Sequence, residues 1–224
     1  MPNYQIITYG SIDVYYLDEI DGGGARFGQD YVTFIPGHLG PVDSTLEWCA
    51  GPGFIGFSLL AAGICKKLTL LDVNPVAAAA CQQTVLRNGL QEVVQICTAD
   101  RVDALPQDNT YDLVVANPPH CPDETPSPGG HNQLIYNDVG WTTHRAFYQQ
   151  IPDYLSPDGR IILQEDASQS SVDDFRDMIN DAGLELLGTF PCEWAKEHYP
   201  PRGTTLYPEY YYIESRLSPL RRAS

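Results

Sequence analysis

Residues 45–63 read TLEWCAGPGFIGFSLLAAG, so an apolar strand, a glycine-rich turn and an apolar helix follow one another directly. The first six residues predict the strand, and the run from Phe54 predicts a helix that Gly63 can end. A glycine-rich turn at this point leaves backbone N–H groups open at the positive end of a helix. The stretch therefore predicts a parallel sheet with a ligand site at the carboxyl end of its first strand.

Strands and helices alternate after this stretch. Asn74 and Pro75 are a typical N-cap and first helical residue, and Asn88 and Gly89 end that helix. Further strands are predicted at residues 67–72, 92–100, 111–116, 160–165, 184–190 and 210–217, and further helices at 74–89, 141–155 and 171–183. Strands separated by helices imply parallel pairing with right-handed crossovers, so the sequence predicts an α/β three-layer sandwich.

The last two predicted strands break this alternation, because only an irregular segment joins them. We therefore expect a hairpin, and a seven-stranded, mostly parallel sheet whose last strand is antiparallel. Upstream, residues 1–40 contain short Tyr- and Ile-rich strands interrupted by DGGG. We expect this region to be a lid-like extension of a catalytic domain formed by residues 41–224, within a single compact unit. A chain of 224 residues with 43% hydrophobic content has enough material for one core.

Composition restricts the partners. The formal net charge of -16 opposes binding to nucleic acid, which depends on Lys and Arg, unless a basic partner subunit provides them. Six widely spaced cysteines without a C-x-x-C pair predict reduced thiols and no disulfides. The chain has no apolar run of about 18 residues and no signal-peptide pattern at its start, so we expect no membrane association and a cytoplasmic location.

Four predicted strands end in polar residues. Glu47 stands in the first strand next to the turn, Asp72 follows Gly53 by about 20 residues, and Asp100 and Asn117 end the next two strands. Because the carboxyl ends of parallel strands share one edge of the sheet, these side chains should lie on one rim. An acid at the position of Asp72 is typical of a group that binds ribose hydroxyls.

With these residues the sequence resembles the class I S-adenosylmethionine-dependent methyltransferases, from about residue 34 to residue 217. The resemblance implies a Rossmann-like fold and S-adenosyl-L-methionine as cofactor. Its methionine part is expected over residues 50–53, with Glu47 near its amino group, Asp72 on the ribose hydroxyls, and Asp100 with the Arg101 backbone N–H on the adenine. The residues that the resemblance implies for cofactor binding are Glu47, Cys49, Ala50, Gly51, Gly53, Asp72, Val73, Asp100, Arg101 and Asn117. Cys49 departs from the family, which has a small residue there.

The second motif is NPPH at residues 117–120. In this family, N-P-P followed by an aromatic residue marks enzymes that methylate a planar nitrogen, and the chain is distantly similar to the release-factor glutamine N-methyltransferases. The resemblance implies catalytic roles for Asn117, Pro118 and His120: the Asn117 oxygen and the Pro118 carbonyl accept the target N–H bonds, and His120 takes the place of the usual aromatic ring. Because histidine also accepts protons, an amide, a base nitrogen and an aliphatic amine all stay open as acceptors.

Several alternatives remain at this level. Gly51, Gly53 and Gly56 fit the G-x-G-x-x-G spacing of a dinucleotide oxidoreductase, although such an enzyme has no need of NPPH. The other two alternatives are a nucleic-acid base methyltransferase that acts with a basic partner, and a non-catalytic subunit that binds the cofactor. The acidic composition favours a protein side chain or a small amine as substrate. No metal is predicted, because His120, Cys121, His131 and His144 match no metal-binding spacing. Residues 121–133 are either a lid over the site or a connector.

Overall fold

The computed structural model describes residues 2–21, 27–124, 133–193 and 210–222. It contains a two-stranded antiparallel sheet and a seven-stranded sheet. The small sheet consists of β1 (Gln5–Tyr9) and β2 (Ile12–Tyr16). The large sheet consists of β3 (Val42–Trp48), β4 (Cys65–Asp72), β5 (Val94–Thr98), β6 (Tyr111–Ala116), β7 (Leu155–Asp166), β8 (Leu184–Pro191) and β9 (Tyr210–Leu217).

The strand order of the large sheet is β5-β4-β3-β6-β7-β9-β8. Strands β3 to β7 pair in parallel, whereas β9 runs antiparallel to both of its neighbours, β7 and β8. The predicted seven-stranded sheet with an antiparallel last strand is therefore confirmed. The order also places β3 and β6 side by side at the centre, so that the glycine-rich turn and the NPPH segment leave the sheet next to each other.

The helices are α1 (Asp18–Asp21), α2 (Phe27–His38), α3 (Phe54–Ala61), α4 (Pro75–Asn88), α5 (Gln133–Tyr136), α6 (Thr142–Gln150), α7 (Val172–Asp181) and α8 (Pro219–Arg222). Short 3-10 helices cover Val102–Ala104, Val139–Trp141 and Ile151–Tyr154. Local sequence sets the ends of α4 as predicted: the Asn74 side chain accepts the Val76 N–H at 2.9 Å, and Gly89 adopts a φ of 67°. No helix among the described residues is long and apolar enough to cross a membrane.

Apolar side chains cover both faces of the central strands. In β6, Val114 and Ala116 belong to the core that includes Phe147 of α6, while Leu113 and Val115 belong to the core on the other face. A strand that is apolar on both faces is typical of a parallel sheet between two helical layers. The predicted three-layer sandwich is confirmed. All six cysteines lie in the described residues, and their thiols form no disulfide there.

Helix α2 was not predicted from the sequence. Tyr31 is completely buried, and its hydroxyl donates to the Ala116 carbonyl at 2.6 Å and lies 3.1 Å from the Ile162 carbonyl. Pro36 and the nearby glycines indicate a loop by local propensity, but the tertiary contacts of Tyr31 outweigh that preference. The division of the chain at residue 40 stays a prediction. In this structure α2 contacts the end of β6 at Ala116, one residue before Asn117.

Candidate functional site

The turn after β3 has an unusual backbone. Cys49, Gly51 and Gly53 have φ angles of 52°, 50° and 80°, all in the left-handed region. A Cβ at Gly53 would come within 2.8 Å of the Phe57 ring, so this position has no room for a side chain. Only glycine adopts this region without cost, and Cys49 therefore holds a strained conformation. The turn presents its backbone at the carboxyl edge of the sheet, beside the start of α3.

Glu47 lies beneath this turn and is 2% exposed. Its carboxylate accepts the Gly56 N–H at 2.7 Å and the Ile55 N–H at 3.3 Å, at the first turn of α3. Burial raises the pKa of Glu47 from its ordinary value of 4.5 to about 8, although the two backbone N–H groups act in the opposite direction. In this structure Glu47 thus joins β3 to α3. Its predicted contact with a cofactor amino group stays a prediction.

Asp72 stands at the end of β4, across from the turn. Its carboxylate accepts the Gly51 N–H at 2.6 Å and the Asn74 N–H at 2.8 Å, and burial raises its pKa. Each carboxylate oxygen has a second lone pair, so Asp72 can accept two further hydrogen bonds from a ligand diol. The next residue, Val73, is 48% exposed and provides an apolar surface beside that carboxylate.

Strand β5 ends at Thr98, so Asp100 follows two residues after the strand instead of ending it. The Ala99 N–H donates to the Asp72 carbonyl at 3.0 Å, which keeps this segment at the same edge as Asp72. Asp100 and Arg101 are both exposed, and the Arg101 side chain pairs with Asp103 at 2.6 Å. The Asp100 carboxylate is therefore accessible at the rim, and its contact with an adenine stays a prediction.

The NPPH segment follows β6. Asn117 is half-buried, while Pro118, Pro119 and His120 are buried. The Asn117 Nδ2 atom donates to Gln164 Oε1 at 3.0 Å and lies 3.2 Å from His120 Nε2. Gln164 and His120 thus hold the amide nitrogen of Asn117. The Tyr210 ring packs against the His120 ring, with 5.6 Å between the centroids.

A chain of buried ionisable groups continues behind His120. His120 Nδ1 is 3.2 Å from Glu165 Oε2, and Glu165 Oε1 is 3.0 Å from His144 Nε2. His144 Nδ1 is in turn 2.6 Å from Asp138 Oδ2. Glu165 and His144 are completely buried. We call Asp138, His144, Glu165 and His120 the buried relay.

Charges within the buried relay shift one another's pKa values. Burial alone would lower the pKa of His144, but the carboxylates of Glu165 and Asp138 outweigh it and raise the pKa to about 9. Burial would raise the pKa of Asp138, yet hydrogen bonds from His144 and from the Thr143 backbone lower it to about 2. The pKa of Glu165 is also lowered, because both histidines outweigh its burial. Asp138, His144 and Glu165 are consequently charged at neutral pH.

Sequence reasoning missed Gln164, Glu165 and Asp138, and it considered His144 only as a metal ligand. One signal was available: the apolar run at residues 161–163 of β7 is followed by Gln164, Glu165 and Asp166, on the same edge as Asn117. Within the described ranges no group of three or more His, Cys, Asp or Glu side chains has a metal-binding arrangement. His131 lies outside the described residues, as does most of the predicted lid at residues 121–133. Trp141 is part of the core and packs on His144.

Comparison with known families gives a match to the methyltransferase small domain over residues 14–167. The ribosomal protein uL3 glutamine methyltransferase of Bradyrhizobium diazoefficiens is 27% identical over 167 residues, covering 70% of this chain and 50% of the relative. The release factor glutamine methyltransferase of Leptospira interrogans is 25% identical over 122 residues, covering 54% of this chain and 41% of the relative.

A third relative is the ribosomal RNA small subunit methyltransferase C of Pseudomonas entomophila, 34% identical over 79 residues, with coverage of 35% of this chain and 23% of the relative. The chain thus spans half or less of these curated relatives. Among solved structures, the mitomycin 7-O-methyltransferase MmcR superposes with a TM-score of 0.61 at 16% identity, covering 88% of this chain and 54% of that one. This likeness confirms the Rossmann-like fold.

Proposed function

The chain belongs to the methyltransferase small domain family, and from this premise we propose that it transfers a methyl group from S-adenosyl-L-methionine to a nitrogen of a protein side chain. The fixed amide of Asn117 beside the glycine-rich turn carries this proposal. β3 and β6 are paired neighbours, with Glu47 opposite Val115, so the cofactor turn and the NPPH segment share one pocket edge. We further propose that the enzyme acts in the cytoplasm.

The residues around the turn fit the cofactor. Residues 50–53 would hold the methionine part on open backbone, because the left-handed turn keeps side chains out of the way. Asp72 would accept the ribose hydroxyls, Val73 would cover one face of the adenine, and Asp100 with the Arg101 backbone N–H would contact the adenine edge. When bound, the cofactor supplies a methyl group on a positively charged sulfur. The acidic rim favours a cation in this position.

Asn117 and Pro118 would position the acceptor. With its nitrogen held by Gln164 and His120, Asn117 has its carbonyl oxygen available to accept an N–H of the target. The Pro118 carbonyl would accept the second N–H, and Pro119 makes that backbone rigid. Holding the nitrogen in line with the methyl carbon supplies the main rate advantage, because transfer from a sulfonium needs no strong base.

The substrate class follows from charge and from the relatives. A net charge of -16 opposes polyphosphates, and two relatives are named for glutamine methylation. A base of RNA is the second candidate, favoured by the relative that is named for ribosomal RNA. That candidate requires a basic partner to neutralise phosphates.

Cofactor binding is tested by calorimetry with S-adenosyl-L-methionine. Asp72→Ala should weaken binding by about 100-fold, since it removes acceptors for two hydroxyls. Asp108→Ala is the matched control: Asp108 is an exposed acid just before β6, at the opposite edge of the sheet, and its removal should leave the affinity unchanged. Tight binding of a nicotinamide dinucleotide without binding of S-adenosyl-L-methionine would refute the proposal.

Transfer is tested with methyl-labelled cofactor and a cell lysate separated into protein, RNA and small-molecule fractions. We expect label in the protein fraction with the wild type and none with Asn117→Ala, which should retain cofactor affinity. Label confined to RNA would support the second candidate. Turnover by the purified chain alone would also exclude the role of a non-catalytic cofactor-binding subunit.

A further inference from the structure

The orientation of the Asn117 amide is determined by residues deeper in the protein. Asp30, which is 1% exposed, accepts a hydrogen bond at Oδ2 from Gln164 Nε2 at 3.0 Å. Gln164 Nε2 also lies 3.1 Å from Cys192 Sγ, so the amide nitrogen of Gln164 is directed toward Asp30 and Cys192 and its oxygen toward Asn117. Asn117 must then face Gln164 with its own nitrogen. The carbonyl oxygen of Asn117 is then the atom of this amide that is turned away from Gln164 and His120.

The same orientation fixes the proton on His120. The second hydrogen of Asn117 Nδ2 points to His120 Nε2, 3.2 Å away, so this ring nitrogen must be an acceptor without a proton. The proton of a neutral ring then lies on Nδ1, 3.2 Å from Glu165 Oε2. The opposite tautomer would place N–H groups of Asn117 and His120 face to face. Tyr210 of β9 is the other titratable group that faces this ring.

The far end of the buried relay supports the same assignment. Asp138 Oδ1 accepts the Thr143 N–H at 2.8 Å, and Oδ2 accepts the His144 N–H at 3.0 Å, so this carboxylate caps the start of α6. With both oxygens accepting, Asp138 requires a proton on His144 Nδ1, and the carboxylate of Glu165 requires another on Nε2. His144 is therefore a buried cation between two carboxylates. Glu165 in turn is an acceptor for His120.

We propose that Glu165, His144 and Asp138 are positioning residues that hold His120 as the Nδ1–H tautomer. His120 and Gln164 in turn keep the Asn117 oxygen toward the acceptor. The site then selects a neutral N–H nitrogen over an ammonium. The proposal rests on the proposed methyltransferase function. It names the acceptor class through His120: a carbonyl oxygen accepts an N–H from an amide and from an ammonium alike, but only the ammonium needs a base, and both ring nitrogens of His120 are engaged.

The chemistry of transfer agrees with this selection. The nitrogen lone pair forms the new bond to the methyl carbon, the bond from carbon to sulfur breaks, and its electron pair stays on sulfur. The proton that the nitrogen no longer needs leaves to water. An ammonium has no lone pair and must first lose a proton to a base. Both ring nitrogens of His120 are already engaged, so this ring is not available as that base.

The tautomer is directly measurable. Long-range proton–nitrogen NMR spectra near neutral pH should show His120 with a proton on Nδ1 and none on Nε2, and His144 with protons on both nitrogens. In Glu165→Gln, His144 should lose its second proton and His120 its single tautomer. The ring of His38, which lies 3.8 Å from Glu214, is the control and should not change. A wild-type His120 with a proton on Nε2 overturns the proposal, even if the variant does not fold.

The acceptor is tested by identifying the methylated atom in the labelled fraction by mass spectrometry. A side-chain amide or a ring amino group supports the proposal, and methyl-lysine or another methylated basic amine overturns it. Glu165→Gln should lower kcat by about tenfold, the kinetic equivalent of one lost hydrogen bond, with little change in cofactor affinity. An equal loss of cofactor affinity would overturn the positioning role. Failure of the wild type to label any fraction contradicts the proposed function, and the tautomer then decides this inference by itself.

Discussion

Replacing Glu47 by glutamine should make the protein more stable at alkaline pH. The carboxyl group of Glu47 is 2% exposed, and burial raises its pKa to about 8. Glutamine has the same shape and keeps an oxygen that can accept the Gly56 N–H, but it cannot ionise. Glu47→Gln therefore removes the cost of a buried negative charge and leaves the junction between β3 and α3 in place.

The magnitude follows from linkage. The pKa of Glu47 is about 8 in the folded protein, against an ordinary value of 4.5, and at about 1.4 kcal/mol for each pH unit this difference is worth about 5 kcal/mol. Because the folded state binds the proton more tightly, the contribution is fully present below pH 4.5. It is lost progressively as the pH rises through 8. Relative to wild type, Glu47→Gln should gain stability by up to that amount across this window.

The assay is urea unfolding of wild type and Glu47→Gln at a series of pH values between these limits, with the difference in unfolding free energy as the readout. Titrations of other groups occur in both proteins and largely cancel in the difference. A difference that stays flat with pH would refute the reasoning, because it would mean that the α3 N-terminus keeps Glu47 ionised at little cost. Calorimetry on the same pair tests the predicted cofactor contact: a large loss of affinity in Glu47→Gln would show that the charge itself is needed.

Two further predictions concern the neighbourhood of the site, both measured by urea unfolding. Cys49→Gly should be more stable than Cys49→Ala by about 1 kcal/mol, because only glycine relieves the φ of 52°; equal stabilities would show that the turn relaxes. Tyr31→Phe should cost about 1–2 kcal/mol, since the buried Ala116 carbonyl loses its hydroxyl donor. Tyr148→Phe should cost nothing, because the buried Tyr148 hydroxyl has no hydrogen-bond partner among the described residues. Equal costs would contradict the anchoring role of Tyr31.

The fold was predictable because its determinants are local. Asn74 and Gly89 delimit α4 through a side-chain cap and a left-handed glycine, and both are readable from the sequence. Ser171 likewise begins α7, with its N–H bonded to the Asp174 carboxylate at 2.8 Å. The apolar runs then fix the strands, and the irregular segment before β9 indicates the reversed last strand. None of these inferences needs knowledge of distant contacts.

The missed parts depend on contacts between residues far apart in the chain. Tyr31 reaches the end of β6 across 85 residues, a contact that no local pattern encodes, so α2 was not predicted. Glu165 meets His120 across 45 residues. The sequence indicates that β7 ends in polar residues at the rim, but only the order β6-β7 in the sheet shows which of them face the NPPH segment.

The substitution of histidine for the usual aromatic residue after N-P-P is best understood together with Glu165. An aromatic ring at position 120 would leave Glu165 Oε2 without its donor from His120, and a buried carboxylate deprived of a donor costs several kcal/mol. A buried Glu165 without His144 would be costlier still, since His144 supplies the only positive charge in the buried relay. His120, Glu165, His144 and Asp138 therefore form one electrostatic unit of two carboxylates, one cation and a neutral ring, in which the single cation lies between the two carboxylates. The buried Glu165 carboxylate thus requires a hydrogen-bond donor at position 120, which histidine provides. His120 affects the acceptor through the orientation of the Asn117 amide.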